Sequence, residues 1–310
     1  MAQLVQSNAT TVAGLRAKLL DPATPLPERY RVLFSLRNVA GPDAQAALLE
    51  ALKDESALFR HDVAFCLGQR QDSAAVDTLT ALLRDTSQHP MVRHEAGEAL
   101  GAIGTQECLI PLREHQLDAV LEVAETCQMA LQRIEYLAAH PDASNEESPY
   151  YSVDPAPALP ASTPIAELRH QLLDESMRMF DRYSALFALR NKGGVEAVKV
   201  LGEVFSSCRS ALLRHEVAYV LGQMQDQAAA DVLVAVLKDS TQHAMVRHEA
   251  AESLGSIGDN KTKRLLAQFS QDAEPIVAHS CVVALDMLEF EASGAFEYAD
   301  KGAGAAVKVC

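Results

Sequence analysis

Met91-Val92-Arg93-His94-Glu95-Ala96 returns unchanged as Met245-Val246-Arg247-His248-Glu249-Ala250, 154 residues further along the chain. Outward from this pair, a leucine followed by Arg, Gly, Gln or Asp recurs at Leu36, Leu67, Leu100 and Leu131, in steps of 31, 33 and 31 residues. A second series runs Leu189, Leu221, Leu254 and Leu285, in steps of 32, 33 and 31. Leu36-Arg37-Asn38 matches Leu189-Arg190-Asn191, and Leu67-Gly68-Gln69 matches Leu221-Gly222-Gln223. A fixed period of this length marks a repeat architecture. The order is four repeats, a break and four more, as a gene duplication leaves it.

Each repeat reads as two helices. In the third, Val92, Ala96, Ala99, Leu100 and Ile103 fall within about 100° of one another on a helical wheel, giving one apolar stripe. Pro90 suits the first turn of that helix and Gly104 its stop. Val76 to Leu83 supplies the partner helix, and Asp85 to His89 the loop between them. Stacked hairpins of this length predict an all-α fold, an α-solenoid of HEAT-like helical-hairpin repeats in two duplicated four-repeat halves. The halves are expected at 1–140 and 165–292. Between them, residues 141–164 hold six of the 13 prolines, which no helix survives, so a linker or surface loop is expected there. The Gly- and Ala-rich tail, 293–310, is expected to be disordered.

Composition narrows the function classes. The 310 residues include only 5% aromatics and no tryptophan, which favours helices over a strand-rich sandwich. A formal charge of −15 argues against nucleic acid or an anionic membrane as the main partner. Six scattered cysteines without a C-x-x-C pair read as buried or free thiols, not as a disulfide framework or a zinc site. With no signal-like start and no apolar run long enough to span a bilayer, the expected location is cytoplasmic.

The chemistry sits beside the landmark leucines. Six repeats carry an arginine seven residues earlier, at Arg29, Arg60, Arg93, Arg182, Arg214 and Arg247, which reads as architecture tying repeats together. The next two positions differ. In the middle repeats they are His61-Asp62, His94-Glu95, His215-Glu216 and His248-Glu249; the first repeats have Tyr30-Arg31 and Tyr183-Ser184, and the last Glu125-Thr126 and His279-Ser280. A structural motif would recur in every copy, whereas a His-acid pair confined to adjacent middle repeats is what a site in each stack needs. His94 lies about 175° from the centre of the apolar stripe, away from the core. Helices in contact lie roughly 8–10 Å apart, so histidines of adjacent repeats can converge on one ion. Two histidines with one or two carboxylates and no thiolate fit non-haem iron; ligand type alone admits manganese and zinc as well. Two such halves facing each other would bring two metals close enough to share an oxygen species. His89 and His243 read as loop histidines at helix starts, and Glu98 and Glu252 as solvated or supporting groups. There is no H-E-x-x-H, Walker loop, dinucleotide fingerprint or nucleophile elbow.

With L-R-H-E-V-A-Y-V-L-G-Q at 213–223, Q-H-A-M-V-R-H-E-A-A-E-S-L-G at 242–255 and the linker phrase Tyr151 to Pro157, the chain resembles the deoxyhypusine hydroxylases over roughly residues 20–292. The resemblance implies a di-iron monooxygenase that uses molecular oxygen as co-substrate to hydroxylate deoxyhypusine on eukaryotic translation initiation factor five-A. It implies two Fe ions (Fe2+/Fe3+), one held by His61, His94 and Glu95, the other by His215, His248 and Glu249. Asp62 and Glu216 would then support the ligands or meet the substrate amine, and serve as ligands in some states. Asp62 departs from the family's usual glutamate and is one methylene shorter. The substrate protein is the expected partner, with no nucleic acid and no membrane, and the chain is expected to act as a monomer. The rival from another class is a metal-free HEAT-repeat scaffold whose His-acid steps line a protein-binding groove. A second rival resembles the phycobilin-attachment lyases, which would not need His-acid pairs restricted to middle repeats.

Overall fold

A computed structural model describes residues 4–141, 149–259 and 261–293, with side chains to residue 290. Among them are sixteen α-helices in eight hairpins. The first half has α1 (Ala9–Leu20) and α2 (Leu26–Asn38), α3 (Pro42–Ala51) and α4 (Ala57–Arg70), α5 (Val76–Arg84) and α6 (Pro90–Ile103), α7 (Leu109–His115) and α8 (Leu121–Ala139). The second half has α9 (Ile165–Leu173) and α10 (Met179–Lys192), α11 (Gly194–Ser207) and α12 (Ala211–Met224), α13 (Ala230–Lys238) and α14 (Ala244–Ile257), α15 (Lys263–Phe269) and α16 (Pro275–Ser293). The chain falls into two compact units, one holding the helices up to Ala139 with Tyr151–Val153, the other Asp154–Ser293. Each unit is an α-solenoid, and every landmark leucine lies on the second helix of its hairpin. Residues 142–148 of the expected linker, and the expected tail beyond Ser293, lie outside the described residues.

The helix ends follow from local chemistry. Pro90 opens α6, and Gly104 closes it in the left-handed region at φ 70°. His89 and His243 are caps: each ring Nδ1 accepts the backbone N–H two residues on, from Met91 at 3.2 Å and from Met245 at 3.3 Å. Gln71 and Gln225 close α4 and α12 at φ 53° and 49°, where glycine is usual. Each holds that strained turn with its side-chain amide, which donates to the carbonyl of Ala102 (2.7 Å) or Ser256 (3.1 Å) on the next landmark helix.

Four of the six arginines act alike. Arg29, Arg93, Arg182 and Arg247 donate Nε–H to the carbonyls of Leu19, Leu83, Leu172 and Leu237 at 2.9, 2.9, 2.9 and 3.1 Å, capping the partner helix of their own hairpin. The guanidinium then reaches the next repeat: Asp54 from Arg29, Asp118 from Arg93 (2.6 Å), Asp272 from Arg247 (2.5 Å) and the Cys208 sulfur from Arg182 (2.9 Å). Arg60 instead bonds the nearby carbonyls of Asp54 and Glu55 at 2.5 and 3.0 Å, and Arg214 bonds Gln242 at 2.7 Å.

In the second unit Arg190 is fully buried. It pairs with both oxygens of Asp154 (2.9 and 2.5 Å) and lies between the rings of Tyr150 and Phe187. In the first unit, Val153 exchanges hydrogen bonds with the Gln69 side chain, its N–H donating at 2.8 Å.

The glycine after the landmark leucine sets the spacing of adjacent landmark helices. A Cβ on Gly68 would meet the Ala99 Cα at 2.8 Å, and one on Gly222 would meet the Ser253 Cβ at 2.9 Å. On an exposed helix, glycine to alanine gains about 1 kcal/mol. Here Gly68→Ala is expected to cost about 1–3 kcal/mol, because the added methyl collides with backbone. Chemical denaturation of the full chain measures the sign, and a stabilised variant would contradict the packing.

Candidate metal centre

The His-acid steps lie on α4, α6, α12 and α14, the four middle landmark helices. Although His94 points away from the apolar stripe, it is 0% exposed, and α6 is buried without interruption from Met91 to Gly97. The matching stretch of α14, Met245 to Ala251, is buried throughout as well. A helical wheel gives the direction of a side chain but not what covers it.

In the first unit the close approach of α4 and α6 sets the His61 and His94 rings 5.5 Å apart. Glu95 Oε2 lies 3.2 Å from His61 Nε2 and 3.9 Å from His94 Nε2. One ligand atom from each of His61, His94 and Glu95 falls within 4.8 Å of the other two. Asp62 accepts from His61 Nδ1 at 3.1 Å, so both nitrogens of that ring face carboxylates. Burial disfavours the charged imidazole, but the hydrogen bonds and negative charge of Asp62 and Glu95 outweigh it and hold the His61 proton well above the ordinary histidine range.

The second unit repeats this geometry with a difference. His215 Nε2 lies 3.3 Å from Glu249 Oε2, and the His215 and His248 rings are 5.3 Å apart. Glu216 is buried beside His215 on α12. His248, Glu249 and Glu252 place one ligand atom each within 4.8 Å of one another. Glu252 meets the other side of the histidine, its Oε1 3.5 Å from His248 Nδ1, and it accepts from the Ser280 hydroxyl at 2.7 Å.

The remaining repeats show why the pair is confined. Tyr30 fills the histidine slot of the first repeat and packs edge-on against Phe59 at 5.4 Å. Tyr183 does the same in the second half, donating to the carbonyl of Leu212 at 3.4 Å. His279 is exposed. Ser280, by contrast, is fully buried against His248, a participant that a search for His-acid pairs passes over. It stands in the acid slot of the last repeat, so the repeat register is the signal that finds it.

The five described cysteines are free and buried. Burial pushes the Cys66 thiol far up and those of Cys127 and Cys281 to about 12, so none of the three is a ready thiolate. Among the described residues, the groups that could hold a metal contain only histidine and glutamate, nitrogen and carboxylate donors that suit a divalent ion.

Fold and site together define a duplicated HEAT-repeat protein with a buried imidazole–carboxylate cluster in each half, and residues 13–88, 45–132 and 198–286 match the family of HEAT repeats. The chain is 53% identical to the deoxyhypusine hydroxylase of Gallus gallus over 290 residues, 93% of this chain and 96% of that protein. The Mus musculus enzyme of the same name is 51% identical, with 93% and 95% covered. A solved structure of human deoxyhypusine hydroxylase in complex with glycerol superposes with a TM-score of 0.86 at 50% identity, covering 90% of this chain and 96% of that one. The chain belongs to the deoxyhypusine hydroxylase family.

Asp62 is one of two carboxylates that raise the His61 pKa. In metal-free protein, Asp62→Asn is expected to lower that pKa towards the ordinary range. Histidine NMR titration reads the change, and an unmoved or higher value would contradict the assignment.

Proposed function

We propose that this chain hydroxylates the deoxyhypusine side chain of eukaryotic translation initiation factor five-A, with one iron in each half and molecular oxygen as co-substrate. The reading is carried by two matching buried clusters of imidazole and carboxylate in a chain of this family. His61, His94 and Glu95 would hold one ion; His215, His248 and Glu249 would hold the other. Two imidazoles and one carboxylate per half give the nitrogen-and-oxygen set that suits iron(II). When bound, the irons would supply the activation of oxygen that a C–H hydroxylation requires. One oxygen atom enters the substrate C–H bond and the other leaves as water, with two electrons from an external reductant and two protons from the medium.

The chain's own residues bind, orient and exclude water. Glu95 and Glu249 offset the charge of the ions and, lying 3.2 and 3.3 Å from His61 and His215, set where those imidazoles point. Asp62 fixes the His61 ring through Nδ1, and its Oδ2 is buried with no hydrogen bond among the described residues, an unmet acceptor that a substrate ammonium group would satisfy if binding opened the site. Glu216 occupies the same slot of the repeat in the second half. A charge-assisted bond from a buried carboxylate suits the polyamine side chain, and the net charge of −15 favours the approach of a cation. The protein acts as a monomer on a protein substrate in the cytoplasm.

Incubation with deoxyhypusine-bearing factor, oxygen and a reductant is expected to add the mass of one oxygen atom to the substrate; an unchanged mass would overturn the activity. The purified chain is expected to hold about two irons, a number set by its two donor sets. His94→Ala or His248→Ala is expected to remove most of that metal by elemental analysis. Full occupancy in both variants would overturn the ligand assignment, and colourless, metal-free wild type would favour a protein-binding scaffold.

A further inference from the structure

The repeat register places Ser280 of α16 in the slot that holds Asp62, Glu95, Glu216 and Glu249 in the middle repeats. Its hydroxyl is fully buried and touches two groups at once, Glu252 Oε1 at 2.7 Å and His248 Nδ1 at 3.4 Å. Glu252 Oε1 itself lies 3.5 Å from His248 Nδ1. The hydroxyl has one proton, and its short contact is with a carboxylate, so Ser280 donates to Glu252 and keeps its lone pairs for an N–H from His248. We propose that Ser280 and Glu252 are positioning residues for His248, holding a proton on Nδ1 and orienting the ring so that Nε2 presents its lone pair to the metal.

The chain runs His248 Nδ1–H to Ser280 Oγ, then Ser280 O–H to Glu252 Oε1. It ends on a side chain that is 18% exposed, so the carboxylate stays partly in contact with water while the imidazole stays buried. A ring nitrogen held this way sets tautomer and orientation together and makes the opposite nitrogen a better donor. The first half is built differently. Thr126, in the same slot of its last repeat, is buried, but its hydroxyl makes no hydrogen bond among the described residues. There the ring held by a carboxylate at Nδ1 is His61, through Asp62 at 3.1 Å. The two halves share a ligand pattern and hold different histidines by the outer nitrogen.

This inference rests on His248 being an iron ligand, and two measurements separate it from that reading. In metal-free wild-type chain, 15N spectra of labelled histidine are expected to show the proton of His248 Nδ1 in place and hydrogen-bonded; an Nδ1 without a proton would overturn the proposal whatever the metal does. Titration with Co2+, followed by its visible absorption, is expected to fill two classes of site, with His248→Ala identifying the second-half class. Ser280→Ala should weaken that class by about 10- to 100-fold and leave the other unchanged. Unaltered binding at both would overturn the positioning role. Absence of Co2+ uptake by wild type would overturn the metal reading, while the Nδ1 result would still stand on its own.

Discussion

Two landmark helices can bring imidazoles from neighbouring repeats into contact only if their backbones approach more closely than a pair of ordinary side chains allows. Gly68 and Gly222 make that approach, with Ala99 and Ser253 filling the space a Cβ would take. Each glycine follows a histidine by seven residues, His61 and His215 respectively. Seven residues fall about 20° short of two full turns, so the glycine and the histidine share one face of the helix and both point at the next repeat. Backbone contact at one end of that face fixes the ring separation at the other, near 5.5 Å in the first unit and 5.3 Å in the second. The donor clusters are thus a consequence of how the stack is spaced.

The arginine one position before each histidine points about 100° away around the helix and does a different task. In Arg93 and Arg247 it caps the partner helix and pairs with an aspartate of the next repeat. The neighbouring guanidinium holds the carboxyls of Asp118 and Asp272 below their usual range. Buried charge is tolerable only where it is paired, and here each kind has its own partner: arginine with aspartate along the loops, imidazole with carboxylate between landmark helices. This division lets α6 and α14 be buried without interruption from Met91 to Gly97 and from Met245 to Ala251 while carrying three consecutive ionisable residues each.

Much of this is legible in the sequence. The period of the leucines gives the hairpins, and the helix stop at Gly104 and the starts at His89 and His243 follow from cap chemistry. Confinement of the His-acid pairs to middle repeats marks where donors gather, because only adjacent copies can share an ion. Three features escape such a reading. His94 looks like an outward residue on a wheel, since the apolar stripe says nothing about what covers the opposite face. Arg60 and Arg214 look like their four counterparts, yet they bond nearby carbonyls or Gln242, because loop geometry is not encoded in the residue type. Ser280 carries no charge to attract attention and gains its meaning only from the slot it occupies.

Asp62 is where sequence and geometry sharpen each other. As a shortened acid in a slot that the other middle repeats fill with glutamate, it reads as a weakness if its carboxylate has to reach a metal. The structure sets it on His61 Nδ1 at 3.1 Å, a contact between adjacent residues on one helix, while Glu95 takes Nε2 at 3.2 Å. The missing methylene is then no defect, because a group that holds the outer nitrogen of its neighbour has little distance to cover. In the second half the outer nitrogen with such support is that of His248, and the support comes from Glu252 and a hydroxyl one repeat further on. Duplication copied the inner contacts, histidine Nε2 to glutamate, closely; the supports behind them diverged because a serine or an aspartate in different places can meet the same requirement on an imidazole.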